Sequence, residues 1–165
     1  MDNDVHNSGQ QIRRDIAEAL ASQKLAVLAT ERDGQPYTNL MAFAYTDDLA
    51  SIVVATGRAT RKHMNLQAES RVSLLIDTRS NSEADFHKAV AVTVIGDVRN
   101  VDSDERPELE HLYLSRHPYL NDFIQSPTTA LLKVVVHHYV MVSRFQQVME
   151  LHLSDEMDLF AAKQS

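Results

Sequence analysis

The sequence predicts a mainly β protein, a six-stranded antiparallel β-barrel with appended short helices. Three observations predict it. Runs rich in apolar and β-branched residues recur along the 165 residues, separated by short turns. Apolar residues at helical spacing occur only at intervals between those runs. No internal repeat and no linker long enough to divide two domains interrupts the chain, and such a string of strands closes most simply as a barrel.

The elements follow in order. Residues 1–8 read as a disordered N-terminal tail, residues 9–153 as one domain, and residues 154–165 as a C-terminal helix or tail. Ser8 and Gln11 form a Ser-x-x-Gln capping box ahead of Ile12, Ile16 and Leu20, which predicts a helix over 9–22. Leu25 to Thr30 and Gln35 to Tyr45 flank Asp33-Gly34, a hairpin signal. Ser51 to Thr56 is a third strand, Thr60 caps a helix over 60–69, and Arg71 to Asp77 is a fourth strand. The polar stretch 78–85 reads as a loop. Ala89 to Val101 is the clearest strand, with Gly96 placed where a bulge belongs. A helix over 103–116, a helical turn over 118–125 and strands over 130–143 and 148–153 complete the reading. The Val90/Val92/Val94 and Leu132/Val134/Val136 rows present more one-sided apolar surface than a small barrel covers, which predicts a homodimer.

Composition narrows the function. Cysteine is absent, so disulfides, thiolate-bound metals and thiol nucleophiles are excluded, and a cytoplasmic location fits. Four scattered glycines exclude GxGxxG and Walker loops. A net charge of −7 argues against nucleic-acid and anionic-membrane partners. The polar start Met1-Asp2-Asn3-Asp4 is unlike a signal peptide, and no apolar run is long enough to span a bilayer. Eight histidines raise the possibility of a metal. However, His137 and His138 are adjacent on a strand and face opposite ways, and no HExxH spacing occurs, so no metal site is expected.

One segment carries chemistry. In Val53-Val54-Ala55-Thr56-Gly57-Arg58-Ala59-Thr60-Arg61-Lys62-His63 a strand ends in a glycine turn and a capped helix starts among cations. Cations at a helix N-terminus oppose the macrodipole unless an anion lies among them. Free backbone N–H groups, the Thr60 hydroxyl, Arg61 and Lys62 together suit a phosphate. A solvated helix start is the plain alternative.

Around this segment the chain resembles the pyridoxamine 5′-phosphate oxidase-like family of FMN-binding split barrels. The resemblance rests on Leu25 to Thr30, Gly34-Gln35-Pro36-Tyr37, Thr56 through Thr60-Arg61-Lys62, Arg71-Val72-Ser73-Leu74-Leu75 and Val94-Ile95-Gly96, and covers about residues 25–116. It implies a split barrel with FMN at a homodimer interface. Its phosphate would be held by Thr56, Thr60, Arg61 and Lys62, and its ring would lie along Asn39, Leu40, Met41 and Ala42, near Ala55. Departures are informative. Asn39 stands where family oxidases carry arginine, and Arg58 is available as a substitute. Ala55 replaces a tyrosine, Ala91 a glutamine near the flavin, and Ala44 a lysine that grips substrate phosphate; the C-terminal Arg-x-His is missing. Pyridoxamine phosphate is therefore not the expected substrate. Tyr113 and Arg116 echo two substrate-side residues at a spacing one short and read as ordinary surface or packing residues. The expected function is an FMN-dependent oxidoreductase acting on a small-molecule substrate or electron acceptor, with no catalytic side chain assigned. The rival readings are a haem-binding or haem-degrading split barrel, and a non-enzymatic flavin or F420 module.

Overall fold

A computed structural model of the chain describes residues 2–143 and 147–154. Its elements are α1 (Asp2–Ser22), β1 (Leu25–Arg32), β2 (Gln35–Tyr45), β3 (Ser51–Gly57), α2 (Arg61–Ala68), β4 (Arg71–Asp77), α3 (Asp85–Lys88), β5 (Ala91–Asn100), α4 (Arg106–Arg116), a 3-10 turn (Pro118–Leu120), α5 (Asn121–Gln125), β6 (Thr129–Ser143) and β7 (Gln147–His152). The strands run β3-β2-β1-β4-β5-β6-β7, and β3 also pairs with β6, which closes a six-stranded antiparallel barrel with β7 appended.

Local chemistry sets the path. Asp33 and Gly34 both have positive φ (54° and 79°), the two-residue turn that matches strand twist in a hairpin. Gly96 lies at the register shift between β5 and β6, as its place in the sequence predicts. A Cβ there would stand 2.2 Å from the Val135 carbonyl oxygen, so only glycine lets the two backbones approach this closely. The helix α1 starts earlier than the capping box predicts, leaving Ser8 inside it. The expected C-terminal helix after Ser154 lies outside the described residues.

The barrel interior is one apolar cluster that includes Leu28, Phe43, Ile52, Leu74, Ile76, Val92, Val94, Leu132, Val134 and Tyr139. Ile16 and Leu20 of α1 close one end of it, and Leu66 of α2 joins it at the other. A second cluster outside the β2–β3–β6 wall joins Ala44, Val53, Ala55 and Leu131 to Leu109, Tyr113 and Ile124 of α4 and α5.

The rows expected to form a dimer face do not do so. Val92, Val94, Leu132, Val134 and Val136 point into the barrel and are buried, because alternation identifies an apolar face without saying which side of a closed sheet it lines. The outward apolar row is a different one. Paired residues Leu40, Val27, Leu75, Thr93 and Val140 cross five strands in register, and Leu40 is 65% exposed.

Candidate functional site: the open seam of the barrel

The wall between β2 and β3 is incomplete. Their ladder runs from Tyr45↔Ile52 to Phe43↔Val54 and stops there. Above it β2 pairs only with β1. Every second residue of Gln35–Ala42 therefore turns its N–H and C=O away from β1 toward an open edge. One lip of this seam is Asn39 to Ala42, the other is Ala55 to Gly57, and the start of α2 follows directly from the second lip.

The turn at the top is rigidly built. The Thr60 hydroxyl donates to the Gly57 carbonyl at 2.8 Å and accepts from the His63 N–H at 3.3 Å, the N-cap that the sequence predicts. Its oxygen is also 3.0 Å from the Thr56 hydroxyl, which is itself buried. The Arg58 N–H donates to the Thr128 carbonyl at 2.8 Å, fixing the turn to the head of β6. The Thr60 hydroxyl thus serves the cap, and the groups left for an anion are the N–H groups of Arg61 and Lys62, the first two helical positions.

Charge points the same way. The first turn of α2 has no acidic residue, and among the described residues none of Arg58, Arg61 and Lys62 forms an ion pair. The Arg61 guanidinium lies 5.7 Å from the Tyr37 ring centroid, a contact that the sequence reading misses although Tyr37 belongs to a stretch it quotes. Below the helix, the amide oxygen and nitrogen of Asn39 are both buried without a hydrogen-bond partner, and so is Nε2 of His63. Buried polar atoms are nearly always paired, so an added group or a water would find hydrogen bonds here. An anion-bearing cofactor fits these residues.

The other expected site residues divide by face. Met41 is buried in the barrel core and Ala55 in the outer cluster, so each offers only backbone to the seam. Leu40 is exposed and Ala42 partly so, both on the outer face. Ala44 is fully buried beside Leu109 and Tyr113 of α4. Tyr113 and Arg116 are packing residues. Burial pushes the Tyr113 phenol up to about 12, and Nη2 of Arg116 donates to the Leu20 and Gln23 carbonyls at 3.1 and 2.6 Å. Ala91 lies at the opposite end of the barrel, in an apolar cleft of about 660 Å³ with Leu75, Phe86, Val90 and Val142.

The fold is shared with solved structures. A heme binding protein from Mycobacterium smegmatis superposes with a TM-score of 0.73 at 18% identity, covering 82% of this chain and 56% of that one. A protein from Clostridium acetobutylicum, related to general stress protein 26 and of the pyridoxinephosphate oxidase family, gives 0.67 at 17% identity over 87% and 95% of the two chains. A FAD-binding protein from Mesorhizobium loti gives 0.61 at 18% identity over 76% and 89%. This chain therefore spans little more than half the length of the mycobacterial protein. At these identities the likeness is one of fold. No curated protein matches the sequence. The sequence profile of pyridoxamine 5′-phosphate oxidase matches residues 12–142, most of the chain, and takes in the barrel strands β1 to β5, the seam and the α2 start. The chain belongs to the pyridoxamine 5′-phosphate oxidase family.

Proposed function

We propose that the protein binds FMN at the β2–β3 seam, in a homodimer, and acts as a flavin-dependent oxidoreductase on a small molecule. The observation that carries this reading is the α2 start, where two free N–H groups meet three cations that form no ion pair among the described residues. Arg61 and Lys62 bind the phosphate there, and Arg58 supplies charge from the preceding turn. The open edge of Asn39–Ala42 offers alternating N–H and C=O groups to a flat polar ring, and Asn39 adds an amide. Thr56 and Thr60 hold the turn in shape. Bound flavin would supply the redox chemistry, leaving position and electrostatics to the chain.

The reading places the chain, over residues 9–153, as one cofactor-binding unit. The outward row through Leu40, Val27 and Leu75 is the surface a second copy would cover, since a contiguous apolar strip of this kind marks association. Sedimentation at micromolar concentration should give a dimer, and Leu75→Glu a monomer; a monomeric wild type would count against the interface. Ala44, sealed beneath α4, leaves no cation to grip a substrate phosphate, so pyridoxamine phosphate should not be turned over.

Haem is the rival occupant, because a heme binding protein shares the fold. The visible spectrum of protein reconstituted with each ligand tests the choice. The reading expects FMN or F420 bands retained through gel filtration; a retained Soret band with no flavin binding would overturn it.

A further inference from the structure

We propose that His138, Glu150 and His152 form a binding site for a zinc-class divalent cation between β6 and β7. The register places His138 directly opposite His152, with Glu150 two residues earlier on the same face of β7. The two imidazole rings stand 3.9 Å apart between centroids at 70° to one another. Glu150 Oε2 is 3.4 Å from His138 Nε2 and 3.1 Å from His152 Nε2, and the three ligand atoms lie within 4.8 Å of each other. Ligands about 2.0–2.1 Å from a tetrahedral zinc are separated by about 3.3–3.4 Å, so the two carboxylate–imidazole distances already match a tetrahedral edge.

A second observation points to a ligand. His138 is 4% exposed, yet its Nε2 has no hydrogen-bond partner, and the nearest carboxylate oxygen, Glu150 Oε2, stands 3.4 Å away. A nearly buried nitrogen that faces a carboxylate and a second imidazole, and is hydrogen-bonded to neither, is what a cation would satisfy. His137 takes no part: its Nε2 reaches Asp97 at 2.6 Å and its Nδ1 is 3.3 Å from the Ser154 hydroxyl. The sequence rule that His137 and His138 do not share a metal is compatible with this site, since the partner of His138 comes from another strand.

Two imidazoles and one carboxylate select a borderline ion such as Zn²⁺, Co²⁺ or Ni²⁺ over Mg²⁺ or Ca²⁺. The half-exposed Glu150 and His152 leave the fourth position to water. The ion would clip β7, which pairs only with β6, to the barrel. Protein stripped by a chelator and titrated with Zn²⁺ by calorimetry tests this, with Co²⁺ absorption reporting the geometry. One ion should bind per chain at micromolar affinity or tighter, Co²⁺ should give the intense visible band of a four- or five-coordinate site, and Tm should rise with Zn²⁺ concentration. Glu150→Gln and His152→Ala change exposed side chains and leave the buried His138 in place; each should weaken Zn²⁺ by about 10-fold or more, and His111→Ala should not. Zn²⁺ bound equally by wild type and the Glu150→Gln/His152→Ala double variant, or no binding at micromolar concentrations, overturns the site.

Discussion

At the end of α4, Arg116 lies with Nη2 on the Leu20 and Gln23 carbonyls and its guanidinium 5.3 and 5.0 Å from the Phe43 and Tyr45 ring centroids. Beside it His117 is fully buried, its Nε2–H donating to the Phe43 carbonyl at 2.8 Å. At the start of α2, Arg58 and Arg61 are exposed, Lys62 is partly so, and none has an acidic partner among the described residues. Both places put basic residues beside β2. The α4 cation joins helix to barrel through Nη2 and its ring contacts, whereas the α2 cations flank a cap that uses other atoms. Basic residues with carbonyl partners brace the fold; on the proposed reading, the same residue types left beside free N–H groups are available to an anion.

The comparison can be broken from either side. The largest effect on stability belongs to the brace. Arg116→Ala removes two charge-assisted hydrogen bonds and two ring contacts and should cost about 2 kcal/mol, a fall of about 4–8 °C in Tm. FMN affinity should stay within about twofold; a tenfold loss of affinity with unchanged Tm would reverse the roles assigned here.

A smaller effect is a pH dependence. Burial, aided by the Arg116 charge, lowers the His117 pKa below its ordinary value. The unfolded chain therefore takes up a proton below about pH 6.5 while the folded chain does not, so stability falls as pH drops from there toward the folded pKa. His117→Gln keeps a donor for the Phe43 carbonyl and cannot titrate. Its unfolding free energy, from urea titrations, should fall less steeply between pH 6.5 and 5, by up to about 1.4 kcal/mol per pH unit. His138 titrates in the same direction, so some slope remains. Equal slopes in variant and wild type would show that the ring is not kept neutral.

The smallest effect sharpens the other side. Arg58→Ala leaves the backbone bond to Thr128 intact, so Tm should not move. FMN affinity should fall by about three- to tenfold, the contribution of one partly screened charge. No change would mean that Arg58 points away from the anion.

Much of the fold is legible because its signals are local. Asp33-Gly34 demands positive φ, Thr60 caps the helix that follows it, and Gly96 marks the one place where two backbones nearly touch. What stays hidden is non-local. Alternation in Val92 and Val94 looks the same whether the face lines a barrel or a dimer, and only closure through β3–β6 decides it. The seam depends on where the β2–β3 ladder stops, which neither strand records. The stretch proposed to bind phosphate is visible in sequence because its cations, cap and glycine lie within seven residues. The His138–His152 pair is not, since it exists only in the β6–β7 register.

The central claim is that unpaired charge at the α2 start holds a phosphate, and Arg61→Glu/Lys62→Glu tests it most directly. Flavin fluorescence titrations of FMN and of riboflavin, which lacks the phosphate, would be compared in wild type and variant. FMN affinity should fall about 100-fold or more as two attractions to a dianion become repulsions. Riboflavin should lose less than about fivefold, and the apo Tm should hold or rise, because acids suit a helix N-terminus better than cations do. Unchanged FMN affinity, or an equal loss for both ligands, would contradict the account and place the phosphate elsewhere.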